Sequence, residues 1–217
     1  RGYYLSHDDE LYLYARGDHP ANTSPKTRVE AVDEDAVVEV GALPSLVAVA
    51  DDDGDVTYFA VGREEPDGGF PSVDAEVSVE TVTRGRRTEV VSGGERLREA
   101  RYGSLEDGGE ENDETLFLSP VETAYLADSG FLDAHEKDVN ARIQSVYADL
   151  RDRGVCPRTG FKFGADFRVY ETPDDDHAGL LASAVERDAI LPVVELSRAV
   201  RLAHGVRKRM VFGLVGD

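Results

Sequence analysis

The chain repeats itself. Arg1-Gly-Tyr-Tyr4 is echoed by Arg153-Gly-Val-Cys156, Leu11-Tyr-Leu-Tyr14 by Phe167-Arg-Val-Tyr170, and Ala31-Val-Asp-Glu-Asp-Ala-Val-Val38 by Ala184-Val-Glu-Arg-Asp-Ala-Ile-Leu191. The first match is offset by 152 and the later ones by 153 to 156, so two copies of one domain are expected to flank a different middle segment. The copies are unequal. Where the second has Glu195 to Arg209, the first has only Val40-Gly-Ala-Leu-Pro-Ser45 before the strand-like Leu46 to Ala50. The first copy then runs through Asp51-Asp-Asp-Gly-Asp55, a hairpin turn signal, into a returning strand at Val56 to Val61. The second stops at Gly216-Asp217, so a last strand is expected to be missing, and with Met210 as the only methionine the chain reads as a fragment. Asp51, Asp53 and Asp55 alternate as in a calcium loop, but no glycine follows at the sixth position and no glutamate at the twelfth, which favours the turn.

Between the copies, residues 64–82 are rich in Glu, Pro, Gly and Asp and read as a linker. Gly103 to Asp113 carries one apolar residue, Leu105, and is expected to be a surface loop. Ser119-Pro-Val-Glu122 is a capping box with proline at the first helical position, predicting a helix to about Ser129. A second helix is expected from about Val139 to Arg153, with Ile143, Val146, Tyr147 and Leu150 on one face and Gly154 as its stop. Strands are then expected at Asp166–Glu171, Gly179–Val185 and Ile190–Val194, a helix from Ser197 to about Lys208, and a buried strand from Met210 to Val215. The result is an α+β or mixed α/β chain: a degenerate first-repeat domain over 1–63, the linker at 64–82, a small α/β domain over 83–138 and a larger domain over 139–217.

Charge separates the copies further. The formal net charge is -20, yet residues 151–217 carry a net +1, leaving about -21 for the remainder. Only four of the bases are lysines, a composition suited to solubility at high salt. Within the basic run Ser197 to Arg209 there are five cations and no acid, which suggests a site for a polyanion. One cysteine, Cys156, excludes an internal disulfide and a multi-cysteine zinc site. The chain contains neither an apolar run of roughly 18 residues nor an opening signal peptide, so no membrane partner is expected and the cytoplasm is the default compartment.

Tyr170, His177 and Lys208 converge in the second copy. A phenol, an imidazole and an ammonium suit metal-free RNA cleavage by a 2′-hydroxyl: one group takes its proton, one protonates the leaving 5′-oxygen, and a cation meets the charge building on the phosphate. Asp174, Asp175 and Asp176 precede His177, and nearby carboxylates favour the imidazolium an acid needs. Tyrosine is a weak base candidate at an ordinary pKa of about 10 and needs cations beside it. Each residue also has a plainer reading: Tyr170 as a half-buried strand residue, His177 as a solvated turn residue, Lys208 as a cation at a helix C-terminus. His204, among Val200, Leu202, Ala203 and Val206, is expected to be packed or to cap the helix.

The runs Tyr147-Ala-Asp-Leu-Arg-Asp-Arg-Gly154 and Thr159 to Glu171, His177, and Ser197 to Lys208 closely resemble archaeal tRNA-splicing endonucleases of the two-repeat, homodimeric type. The resemblance implies a duplicated catalytic-domain fold of restriction-endonuclease-like form and excision of introns from precursor tRNA at bulge-helix-bulge junctions. Products would be a 2′,3′-cyclic phosphate and a 5′-hydroxyl, with no metal or cofactor. It makes Tyr170 the general base, His177 the general acid and Lys208 the phosphate-stabilising cation. Arg201 would stack on an extruded nucleotide, and Arg198 and Arg207 would track backbone phosphates. The spacing from Tyr170 to His177 is short for the family. In the first copy Tyr14 and His19 survive without a counterpart of Lys208, which suits a structural role. A noncatalytic RNA-binding subunit is the rival reading. A metal-dependent nuclease is disfavoured because no Glu-x-Lys follows Asp166.

Overall fold

The computed structural model describes residues 4–7, 10–19, 21–73, 78–107, 114–133 and 138–216. The first three residues of the repeat's opening match, and the end of the expected loop at Asp113, lie outside them. In chain order the strands before the linker are β1 (Tyr4–His7), β2 (Glu10–Leu13), β3 (Thr27–Asp33), β4 (Val37–Glu39), β5 (Leu46–Ala50) and β6 (Val56–Ala60). Next come β7 (Glu80–Arg84), β8 (Arg87–Ser92), α1 (Glu95–Glu99), β9 (Ser104–Asp107), β10 (Glu114–Leu118), α2 (Pro120–Asp128) and α3 (Ala141–Asp152). The chain closes with β11 (Cys156–Thr159), β12 (Phe167–Tyr170), β13 (Leu180–Glu186), β14 (Ile190–Pro192), α4 (Val193–Gly205) and β15 (Arg209–Val215). Among the described residues, several sheets and four α-helices make a mixed α+β arrangement.

The elements group into two compact units, one of residues 1–65 and 186–202, the other of 66–185 and 203–217. In the first, a five-stranded sheet has the order β1-β2-β3-β5-β6, antiparallel except for the parallel pair β3 and β5. The Asp-rich segment is a turn: the Asp55 amide donates to Asp51 Oδ1 at 2.8 Å, the Asp51 amide donates to the Asp55 carbonyl at 3.0 Å, and Gly54 takes φ 82°. Val38, Val47, Val49 and Val193 form the core of this unit.

Beside that sheet β14 pairs antiparallel with β4, matching Ile190 with Glu39, Leu191 with Val38 and Pro192 with Val37. The pairing is reciprocal. Val40 N–H donates to the Ala189 carbonyl at 3.0 Å, and Val193 N–H donates to the Ala36 carbonyl at 2.9 Å. This placement explains why α4 begins at Val193, four residues before the expected start. Val193 and Val194 have the β-branched look of a strand, but Val193 is 4% exposed in the core and its amide is already satisfied from outside the helix.

In the second unit β7-β8-β10-β9 form one antiparallel sheet, and β11-β12-β13-β15 form a second in which β12 pairs antiparallel with both β11 and β13. Residues 104–107 of the expected loop after Gly103 are therefore strand. All four residues of β9 are exposed, so its backbone ladder with β10 leaves no apolar alternation to read. The capping box is present: Ser119 N–H donates to Glu122 Oε2 at 2.8 Å, and Ser119 Oγ accepts from the Glu122 amide. Helix α3 begins at Ala141 because the Asn140 side chain accepts from the Arg142 and Ile143 amides, and Gly154, at φ 71°, follows its end. The linker is bound here too. Gly68 and Phe70 donate backbone bonds to the carbonyls of Arg153 and Gly154, and a Cβ on Gly68 would meet the Gly154 oxygen at 2.3 Å.

The core of this unit runs through Leu97, Leu116, Leu118, Leu126, Tyr147, Leu150, Val169 and Leu180. Each such side chain contributes about 1.5–3 kcal/mol on burial. Arg151 is buried among them, with its guanidinium 3.8 Å from the Tyr102 ring centre and hydrogen bonds to Tyr147 Oη and to the carbonyls of Ala100 and Arg101. Burial pushes the Tyr102 and Tyr147 hydroxyls above their ordinary range, so both stay neutral partners for that cation. Expected as buried, β15 is instead half-buried along most of its length.

Candidate active site

In the sheet order β11-β12-β13-β15, Tyr170 ends β12, His177 lies in the connection to β13, and Lys208 directly precedes β15. Since β13 stands between β12 and β15, residues at the end of β12 and at the starts of β13 and β15 share one margin of the sheet. Two contacts fix that margin. Lys208 Nζ donates to the Ala178 carbonyl at 2.5 Å, beside His177, and the Arg209 amide donates to the Gly179 carbonyl at 3.1 Å. The Lys208 ammonium also lies 5.9 Å from the Phe163 ring centre.

The short connection from Tyr170 to His177 is folded on itself. Asp175 Oδ2 accepts from the Thr172 amide at 2.8 Å and the Glu171 amide at 3.3 Å, closing the loop with its side chain. One of the three aspartates before His177 is thus committed to the backbone, while Asp174, Asp176 and His177 itself are exposed. Arg101 holds the loop from outside, donating from Nη2 to the Pro173 carbonyl at 2.5 Å and from Nη1 to the Asp175 carbonyl at 3.4 Å. Its guanidinium and that of Arg168 lie 6.0 and 5.7 Å from the Tyr170 ring centre. Sequence reasoning passed over both arginines. Arg168 was visible two residues before Tyr170 on the same strand face, but Arg101 is joined to the loop only through tertiary folding.

Helix α4 ends sooner than expected, at Gly205, and the chain reaches Lys208 through a tight turn. The Lys208 amide donates to the Ala203 carbonyl and the Arg207 amide to the His204 carbonyl, with Arg207 in the left-handed region at φ 57°. This is a Schellman cap with arginine where glycine is usual. His204 is exposed rather than packed, and its helical turn leaves the ring in solvent while Ala203 takes the buried position. Arg207 is exposed. Arg198 and Arg201 belong to the other compact unit, where both are exposed and Arg201 Nη2 donates to Thr57 Oγ1 at 3.2 Å. Tyr14, the first-copy echo of Tyr170, is buried at 7% exposure, while His19 Nδ1 accepts from the Ala21 amide in an exposed turn.

Comparison with known proteins gives a consistent result. Residues 140–217 match the tRNA intron endonuclease catalytic C-terminal domain, and residues 86–145 match the tRNA intron endonuclease N-terminal domain. The chain is 38% identical over 230 residues to the tRNA-splicing endonuclease of Halobacterium salinarum, covering 97% of this chain and 67% of that protein. It is 37% identical to that of Natronomonas pharaonis (96% and 66%) and 35% identical to that of Haloferax volcanii (100% and 72%). Among the described residues, no helix is long and apolar enough to cross a membrane.

Proposed function

The chain belongs to the tRNA intron endonuclease family, and from that premise we propose that it cuts precursor tRNA at bulge-helix-bulge junctions by metal-free transesterification. Tyr170 takes the proton from the 2′-hydroxyl as its oxygen bonds to the adjacent phosphorus. His177 protonates the 5′-oxygen as the P–O bond breaks, and Lys208 meets the negative charge on the non-bridging oxygens. The products are a 2′,3′-cyclic phosphate and a 5′-hydroxyl, and no cofactor takes part. The observation that carries this reading is the bond from Lys208 Nζ to the carbonyl next to His177, because it ties the cation and the acid to one margin of one sheet. Arg201 supplies a planar face for a splayed base, and Arg198 and Arg207 contact backbone phosphates.

Residues 1–63 serve as a degenerate copy of residues 139–217, joined to it by a linker at 64–82 and a small domain at 83–138, and the protein acts as a homodimer. Two facts support the duplication. The sheets β1-β2-β3-β5 and β11-β12-β13-β15 have corresponding orders, and β4 pairs with β14 as repeat equivalents would across a two-fold axis. At the offset of 153, Val38 faces its own equivalent Leu191, and the Val40 and Val193 amides make equivalent bonds.

The test is cleavage of a bulge-helix-bulge RNA in EDTA, with end analysis of the products. Retained activity and cyclic phosphate ends are expected, and His177→Ala is expected to lose cleavage while keeping RNA binding. An unaffected His177→Ala enzyme removes the acid assignment; binding without any cleavage by the unmodified protein favours a noncatalytic subunit.

A further inference from the structure

A cavity of about 400 Å³ opens on the side of Tyr170 within the second unit. Eleven residues line it; four are arginines, Arg98, Arg101, Arg158 and Arg168, and none is acidic. In a chain with 44 Asp plus Glu against 24 Lys plus Arg, an acid-free wall bearing four guanidiniums is far from the average surface. RNA approaching a protein of charge -20 is repelled over most of its surface, so such a wall is where a polyanion can settle.

Three physical oddities converge on this cavity. Arg158 and Arg168 are direct cross-strand partners in the β11–β12 ladder, and like charges so placed destabilise a sheet unless a counter-charge meets them. The buried carboxylate within reach, Glu122, lies 3.6 Å from Arg158 and already accepts from the Gly103 amide and the helix cap. Second, Arg168 Nε is buried without a hydrogen-bond partner, a cost of about 1–3 kcal/mol that a bound acceptor would offset. Third, Arg101 sits at φ 54° in a Schellman cap of its own after α1, where its amide bonds to Arg98 and that of Tyr102 to Leu97. Among the described residues, Arg101 and Arg207 are the non-glycine residues at positive φ. In both places an arginine stands where glycine would be less strained, as expected when the side chain is retained for what it binds.

We propose that this cavity is a phosphate-binding subsite that holds a backbone phosphodiester of the RNA strand next to the one being cut. The inference rests on the RNA-cleavage reading for its ligand and on the cavity's own chemistry for its existence. Arg168 supplies the unpartnered Nε, and Arg98, whose Nη2 donates to the Glu114 carbonyl at 2.9 Å, its remaining N–H groups. Arg101 and Arg158 are already bonded to the Pro173 and Asp175 carbonyls and to the Arg101 carbonyl, and they add charge and hold the cavity's shape. Because Arg101 also holds the His177 loop, a phosphate seated here meets the segment carrying the candidate acid.

The experiment measures binding of a labelled bulge-helix-bulge RNA carrying a 2′-deoxy nucleotide at the cut site, which cannot be cleaved, across a series of salt concentrations. The full chain is compared with Arg98→Ala and Arg168→Met, each checked by thermal melting; exposed Arg98 keeps the test available if Arg168→Met fails to fold. Each variant is expected to raise Kd about tenfold and to reduce the slope of log K against log salt by about one. Unchanged Kd and slope in Arg98→Ala would overturn the subsite. So would saturation of the cavity by inorganic phosphate that RNA does not displace, since that makes it a small-anion site. Cleavage of the unmodified RNA separates the two readings: normal cleavage with unaltered variants sinks the subsite alone. RNA binding without cleavage, still weakened by the variants, sinks the endonuclease reading alone.

Discussion

The sheets β1-β2-β3-β5-β6 and β11-β12-β13-β15 differ most in the chain that leads into β5 in one and β15 in the other. After β4 the chain makes a three-residue 3-10 helix at Val40–Ala42 and moves on to β5; after β14 it makes the thirteen-residue α4 before β15. Both routes place a strand beside β3 or β13, so the helix is not needed to complete the sheet. What it adds is cargo: Arg198, Arg201, Arg207 and Lys208 all lie on it or on the turn that leaves it. A sheet can lose such an insertion and stay folded, whereas chemistry that depends on a cation at the helix exit cannot survive the loss.

The sharpest way to break that contrast is to remove the chemistry from one side and its echo from the other. Lys208→Ala is expected to slow cleavage by about 10²–10⁴-fold, while Tyr14→Phe changes it less than about twofold, both read as single-turnover rates. Equal losses would mean that the first copy is catalytic too. Structural equivalence is tested at the β4–β14 ladder, where Val38→Asp should cost about 3 kcal/mol in urea unfolding by burying a carboxylate, and Leu191→Asp, at a half-buried position, about 1–2 kcal/mol. A loss confined to one variant would argue against equivalence.

On the helix itself, Arg201→Ala is expected to weaken RNA binding by about 1–3 kcal/mol at every salt concentration, as lost stacking does. Arg198→Ala should matter at low salt and fade as salt rises. Parallel curves for the two variants would remove the stacking role. The smallest effect concerns the turn: Arg207→Gly should stabilise the fold by up to about 1 kcal/mol by relieving a left-handed arginine, yet weaken RNA binding severalfold. Stabilisation without a change in binding would leave Arg207 with no part in recognition.

Local chemistry was legible wherever a motif closes within a few residues. The Ser119 capping box, the helix stopped by Gly154, the Asp51–Asp55 turn and the strands flanking His177 could all be read from spacing and side-chain type. What escaped depends on pairing. The polar strand β9 exists because β10 offers it a ladder, and Val193 is helical because the Ala36 carbonyl takes its amide. The arginine cavity was invisible for the same reason: Arg158 and Arg168 become neighbours only when the β11–β12 register is known, and Arg98 and Arg101 come from a segment about 60 residues earlier.

The Arg101 clamp ties the assembly of the candidate site to the order in which the chain can fold. Its contacts with Pro173 and Asp175 span 72 and 74 residues of sequence, and bridging that distance is among the slower events of folding. The loop before His177 therefore takes its final shape only with the segment that carries Arg101 in place, so truncating Arg101 is expected to loosen that loop.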